Sequence, residues 1–258
     1  MTCFLAALQT EMLKIRKSKV IWITAAAFTI APLMAGFFMF VLKDPEFAKN
    51  AGLIGVKAQI VGEANWPSYL SLYAQIIAVG GVFVFGFITS WIFGREFADN
   101  TVKDLLALPY SRAVIVLAKF IASFMTNIIL SVYIVTLGFF IGWIIDIPEW
   151  SLTFVTDGLY VVFIVTILTI ILSTPIAFFA SYSRGYLVPL GFVIIAVVLS
   201  QIVAAAGFGG YFPWAIPALY GGLTGESMLN WNGVIIVCLT GLIGFFSTLY
   251  WWFLADQH

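Results

Sequence analysis

The residues that could do chemistry in this chain are few. A hydrolytic centre needs a nucleophile, a base and a group that orients the base, yet the single histidine is the terminal residue, His258. A frayed tail accounts for it better than catalysis. Cys3 and Cys238 lie near the amino terminus and inside an apolar run. They imply no disulfide framework and read as packing residues. No histidine, cysteine or carboxylate group has metal-ligand spacing, and no glycine-rich loop of the kind that cradles nucleotide phosphates is present. The chain therefore reads as no enzyme, without a cofactor or metal of its own, and nucleotide, if used at all, is handled elsewhere. An ion-coupled carrier would keep an ionisable group near mid-membrane, whereas the carboxylates here fall outside the apolar runs or at their edges. Gln75, Asn127 and Gln201 remain as polar residues able to contact a substrate.

The charge is concentrated instead in one stretch, Arg95 to Arg112, the only long charged interruption between two apolar runs that can each cross a bilayer. With Lys119 just beyond, it includes Arg95, Glu96, Asp99, Lys103, Asp104 and Arg112, and a loop so polar is expected in water. Val102, Leu105 and Leu106 recur at helical spacing, with Lys103 and Asp104 on the other side, which predicts a short amphipathic helix. Asp99, Asn100 or Thr101 can cap it, Thr101 and Asp104 have capping-box spacing, and Pro109 stops it. Its apolar stripe needs a cover.

The elements that position this stretch follow from composition. At 62% hydrophobic and 9% charged, with mean hydropathy +1.08, the chain lies far from the roughly 45–50% apolar and about 25% charged residues of soluble domains. It is an all-α integral membrane protein, a single transmembrane unit over residues 1–258 with six spans at about 20–42, 69–93, 113–145, 154–180, 187–206 and 233–254. Residues 1–19 read as an interface helix, with Phe4, Leu5, Leu8, Met12 and Ile15 on one face and Gln9, Glu11, Lys14, Arg16 and Lys17 mostly elsewhere. A cleaved signal peptide is the weaker alternative, because the following apolar run exceeds a signal core of about 7–15 residues. Lys43 to Pro67 is a mixed-charge loop, with Trp66 and Tyr69 suited to the membrane interface. Gly80, Gly81 and Gly86 mark close helix packing. The third span is longer than a crossing needs and is expected to carry Lys119 near the surface. Pro175 interrupts the fourth span, and 207–231 reads as broken helices at the outer interface, rimmed by Tyr211, Trp214, Tyr220 and Trp231.

Orientation follows from the basic residues. With the amino terminus inside, Lys14, Arg16, Lys17, Lys19, Arg95, Lys103, Arg112, Lys119 and Arg184 are cytoplasmic, against Lys43, Lys49 and Lys57 outside. Both termini are then expected on the cytoplasmic side.

The run of Glu96, Thr101, Lys103, Leu105, Leu106, Pro109, Ser111 and Arg112 resembles the cytoplasmic segment between the second and third spans of type-two ATP-binding-cassette permeases. Glu11, Lys14 and Lys19 before the first span resemble that family's amino-terminal interface helix, and Tyr211 to Tyr220 its proline-broken segment before the last span. Asn100 stands where the family usually has glycine before Thr101. The resemblance implies a permease without an ATPase of its own, paired with a second copy or a related permease. ATP and Mg would be held by separate ATPase subunits. It makes the loop helix a cytoplasmic coupling helix seated in a groove of the ATPase through Val102, Leu105 and Leu106, with Arg184 as a second contact. Lying on the membrane as a surface helix is the alternative for that element. The compact form resembles permeases of lantibiotic or bacitracin self-protection, which implies export of an amphipathic or lipid-associated cargo across a bacterial-type plasma membrane. Polysaccharide export and a non-transporting membrane scaffold are the other readings.

Overall fold

The structure, a computed structural model, describes residues 2–43, 63–107, 111–222 and 230–254. The described residues form helices and turns and contain no strand. In chain order they are α1 (Thr2–Lys17), α2 (Lys19–Lys43), α3 (Trp66–Ala98), α4 (Val102–Leu106), α5 (Arg112–Ile145), α6 (Leu152–Ile171), α7 (Thr174–Tyr182), α8 (Leu187–Ala205), a 3-10 turn at Gly209–Tyr211, α9 (Ile216–Tyr220) and α10 (Trp231–Leu254). Among the described residues six stretches are long and apolar enough to cross a membrane: α2, α3, α5, α6 continued by α7, α8 and α10. Most of the mixed-charge loop expected over Lys43 to Pro67, namely residues 44–62, lies outside the described residues, as do the stop at Pro109, the tail with His258 and the side chain of Leu106.

Local chemistry sets the ends. Asn65 caps α3, its Oδ1 accepting from Ser68 N at 3.0 Å, with Pro67 in the first turn, where its missing N–H costs nothing. Ser111 caps α5 through Val114 N at 3.4 Å. The helix breaks at Leu172 and Ser173, ahead of Pro175, because proline removes a ladder donor and crowds the preceding turn. Ser173 Oγ donates to Ile170 O at 2.7 Å, and Thr174 Oγ1 donates to Ile171 O at 2.9 Å and Gly241 O at 2.8 Å. Those bonds satisfy carbonyls that lipid could not.

The passes alternate, and their ends collect in two groups. At one end Lys43 Nζ donates to Ile145 O at 2.9 Å, Trp66 N donates to Pro148 O at 3.3 Å, and Ser71 Oγ donates to Gly221 O at 3.2 Å. At the other, Arg112 reaches the last turn of α10, Trp252 Nε1 donates to Ser181 Oγ at 3.0 Å, and Ser90 Oγ donates to Tyr186 O at 3.1 Å. Helix α3 is the central post, buried along most of its length, while Trp22, Ile30, Phe140, Phe163, Ile195 and Ile243 on the helices around it face outward. That is the arrangement of a bundle solvated by lipid.

Two expectations for α3 change. It starts at Trp66, and Trp66 and Tyr69 are buried (3% and 1% exposed), Trp66 lying against Phe139 and Trp150 with ring centroids 5.5 and 4.7 Å apart. They lock α3 to α5 and the following turn, because Gly138 and Gly142 leave room for Tyr73, Tyr69 and Trp66 at the crossing. Of the three glycines of α3 named above, Gly86 alone sits at a tight crossing, where a Cβ would meet Val193 at 2.8 Å and Ile176 at 2.9 Å. The proposed aromatic rim divides too: Tyr211 and Trp231 are exposed, Trp214 is half-buried and Tyr220 is buried.

Candidate functional site

Five charged side chains from three helices converge at the end of the bundle where α3 meets the loop helix. The buried face of α1 is Ala7, Glu11 and Ile15, one residue per turn, so a carboxylate occupies the middle of an otherwise apolar contact. Helix α3 does not end before its charges. It continues to Ala98 and carries Arg95 and Glu96 inside the bundle at 8% and 4% exposure. Lys119, two turns into α5, is fully buried. The sequence reading placed Arg95 and Glu96 in a hydrated loop, Glu11 on the polar side of α1 and Lys119 near the surface. The structure corrects all four, because each charge finds its counter-charge here.

The bonding is close to saturated. Arg95 donates from Nη2 to Glu11 Oε2 at 2.6 Å and from Nε to Glu96 Oε1 at 3.1 Å, and its guanidinium lies 4.6 Å over the Trp91 ring. Lys119 Nζ donates to Glu96 Oε2 at 2.8 Å, Ile92 O at 2.8 Å and Glu11 Oε2 at 3.4 Å, which uses all three of its protons. Lys14 Nζ donates to Glu11 Oε1 at 3.0 Å and Glu96 Oε1 at 3.1 Å, and with its side chain 35% exposed it is the cluster's opening to water. Isolated burial of any of these ions would be prohibitive, so the helices carrying them are held together by the need to keep the set complete. With its donors committed to fixed partners, the cluster is suited to holding α1, α3 and α5 as one body rather than to moving protons.

The loop helix hangs from this cluster by backbone. Thr101 N donates to Glu96 O at 2.9 Å and Asn100 N to Phe97 O at 3.3 Å, the paired bonds of a Schellman turn. Asn100 occupies its left-handed position, φ 58°. Asparagine tolerates that conformation better than other non-glycine residues, so the departure from glycine keeps the turn. Thr101 precedes α4 but makes no side-chain cap, so the predicted capping box does not form. Val102 and Leu105 are buried, at 8% and 9% exposure, in the same core as Ile15, Phe93 and Ile115. Val102 and Leu105, expected in a groove of an ATPase, thus have their cover within the chain, and Thr101, Lys103, Asp104 and Ala107 form the outward face.

Arg112 and Arg184 complete this end. Arg112 Nη1 donates to Trp252 O at 3.0 Å and Phe253 O at 3.1 Å, satisfying terminal carbonyls of α10 at the negative end of its dipole. Arg184 is exposed at φ 52° in a second Schellman turn, closed by Gly185 N donating to Ala180 O at 3.1 Å. That turn lies on α3, since a Cβ on Gly94 would meet Gly185 C at 2.7 Å. Lys19 is exposed at the start of α2.

The three polar candidates for a substrate path are not brought together. Gln75 Nε2 donates to Ser71 Oγ at 3.4 Å near the opposite end, and Gln201 is exposed on α8. Asn127 is fully buried on α5, its Nδ2 donating to Ser123 Oγ at 3.5 Å and its Oδ1 without a hydrogen-bond partner among the described residues. Sequence reasoning missed Lys119 as a member of the cluster. Its signal was a lone cation inside a long apolar run, opposite a carboxylate on the preceding pass.

Comparison with known proteins bears on this arrangement. The family described as ABC-2 family transporter protein matches residues 7–200, a stretch that includes every member of the charge cluster and the loop helix. The bacitracin transport permease protein BCRB of Bacillus licheniformis is 27% identical over 184 residues, 71% of this chain and 88% of that protein. No solved structure matches.

Proposed function

The chain belongs to the ABC-2 transporter family, and from that premise we propose that it is the membrane subunit of an ATP-driven exporter, energised by separate ATPase subunits that hold ATP and Mg. It is a multi-pass transporter permease. The cargo is an amphipathic or lipid-associated molecule such as an antimicrobial peptide, a reading supported by the relative named for bacitracin transport. Both termini and α4 face the cytoplasm, in keeping with the excess of lysine and arginine at that end. Two permeases, as a homodimer or with a related chain, work with two ATPases.

The observation that carries the reading is the double role of Glu96. Its carbonyl oxygen holds the turn into α4, while its carboxylate binds Lys14, Arg95 and Lys119. A displacement of α4 is therefore passed at once to α1, α3 and α5. The ATPase docks on Thr101, Lys103, Asp104 and Ala107, with the Arg184 turn as a second contact, and Val102 and Leu105 anchor α4 from within. ATP drives the cycle only to the extent that it binds the two arrangements with different affinity.

Pull-down of the tagged full chain from native membranes is the test. An ABC ATPase accompanies the wild type, and the charge-reversed pair Lys103→Glu with Asp104→Lys inserts normally but loses it. Unchanged ATPase recovery and transport by that variant would refute docking through α4.

A further inference from the structure

At the opposite end from the charge cluster, a cavity of about 200 Å³ opens between α3, α6 and the turn after α9, lined by Leu70, Ser71, Phe154, Asp157, Tyr220 and Gly221 among others. Asp157 is the sixth residue of α6, exposed in the second turn at the edge of a membrane-spanning stretch. Among the described residues no cation lies within 4.0 Å of it. Every other carboxylate described within a spanning helix is satisfied: Glu96 is the only one, and it faces three cations. A carboxylate at the edge of a spanning helix, with no cation beside it among the described residues, is a candidate for ligand contact, with a cation as the expected ligand. The rest of the lining suits the same ligand. Ser71, whose hydroxyl donates to Gly221 O at 3.2 Å, and Gly221 add polar groups to the same lining, and Phe154 and Tyr220 supply aromatic surface. Gly158 allows Leu70 to close the floor, since a Cβ there would meet Leu70 Cδ1 at 2.6 Å.

We propose that this cavity receives the primary ammonium group of an amphipathic cargo, with Asp157 as its counter-ion and the cargo's apolar part left in the surrounding lipid-facing surface. The proposal rests on the exporter reading and gives that reading a substrate class, a cationic amphiphile. Charge complementarity selects the occupant. A phosphatidylethanolamine headgroup also presents an ammonium, but it brings a phosphate close to Asp157, whereas an alkylammonium brings no anion. The volume admits one aliphatic ammonium arm and excludes a folded peptide. Ser71 also accepts from Gln75 one turn further into α3, so a polar track leads inward from the cavity.

The test uses the full chain in nanodiscs of phosphatidylcholine and two fluorescent probes, a dansyl-labelled dodecylamine with a free terminal ammonium and the corresponding terminal alcohol. The wild type binds the ammonium probe about tenfold more tightly than the alcohol, the scale of one charge-assisted hydrogen bond at a half-open site. Asp157→Asn abolishes the difference by weakening the ammonium probe alone, and Asp157→Glu, which controls for folding, retains it. Adding phosphatidylethanolamine to the nanodiscs leaves the ammonium probe bound. A wild type without the preference, an Asp157→Asn variant that keeps it, or displacement by phosphatidylethanolamine would each overturn the assignment. Recovery of the ATPase, measured separately, distinguishes the two ideas. A chain that binds its ATPase but shows no ammonium preference refutes the site alone, whereas one with the preference and no ATPase refutes the exporter.

Discussion

Replacing Glu96 by Gln keeps the shape of the side chain and removes its charge from a position facing Lys119 Nζ at 2.8 Å, Lys14 Nζ at 3.1 Å and Arg95 Nε at 3.1 Å. With an effective dielectric constant of about 20, a pair of unit charges 2.8 Å apart attracts by about 6 kcal/mol. The water stripped from both ions offsets much of that. In the variant, three cations are left with Glu11 alone, and Lys119, fully buried, cannot recover hydration. The expected loss of stability is about 3–5 kcal/mol, the usual consequence of removing one side of a buried ion pair. Lys119→Met removes the matching cation and leaves Glu11 and Glu96 balanced by Arg95 and Lys14, so its cost falls toward the lower end of the same range. The double variant keeps Glu11 against Arg95 and the half-exposed Lys14, the same net single positive charge as the wild-type cluster, and is more stable than the sum of the single losses by about 2 kcal/mol. Unfolding of the detergent-solubilised chain in a graded denaturant, run on all four proteins, reads the cycle. Additivity within about 0.5 kcal/mol, or a Glu96→Gln variant as stable as the wild type, would refute the claim that these charges hold the helices together.

Three further outcomes are expected in thermal or denaturant unfolding. Arg112→Ala uncovers two carbonyls at the end of α10 and costs about 1–2 kcal/mol, with Arg112→Lys recovering part of it; no change would mean that water caps this end. Asn100→Val, forced into φ 58°, loses about 1–2 kcal/mol while Asn100→Gly is neutral or slightly stabilising, and equal behaviour of the two would mean that the turn opens in solution. Gly138→Ala drives a methyl group into the Tyr73 ring and disturbs the bond from the Tyr69 hydroxyl to Gly138 O, for a loss of about 1–3 kcal/mol; tolerance would show that α3 and α5 can separate at this crossing.

Apolar run length and composition alone determined the six spanning stretches and their approximate limits, because a bilayer demands about 20 apolar residues per crossing whatever the neighbours are. Helical spacing at Val102 and Leu105 likewise located α4, and Pro175 marked the break between α6 and α7. The direction in which charged residues faced was not legible. Periodicity treats charge as a sign of water and so points Glu11, Arg95, Glu96 and Lys119 outward, although together they satisfy one another inside the bundle. The same limit hid the cover over Val102 and Leu105, the burial of Trp66 and Tyr69 at Gly138 and Gly142, and the role of Arg112 at α10. Hydrophobicity belongs to a residue and can be summed along a chain. Ion pairing and close packing belong to residues far apart in the sequence, and only the tertiary structure decides which of them meet.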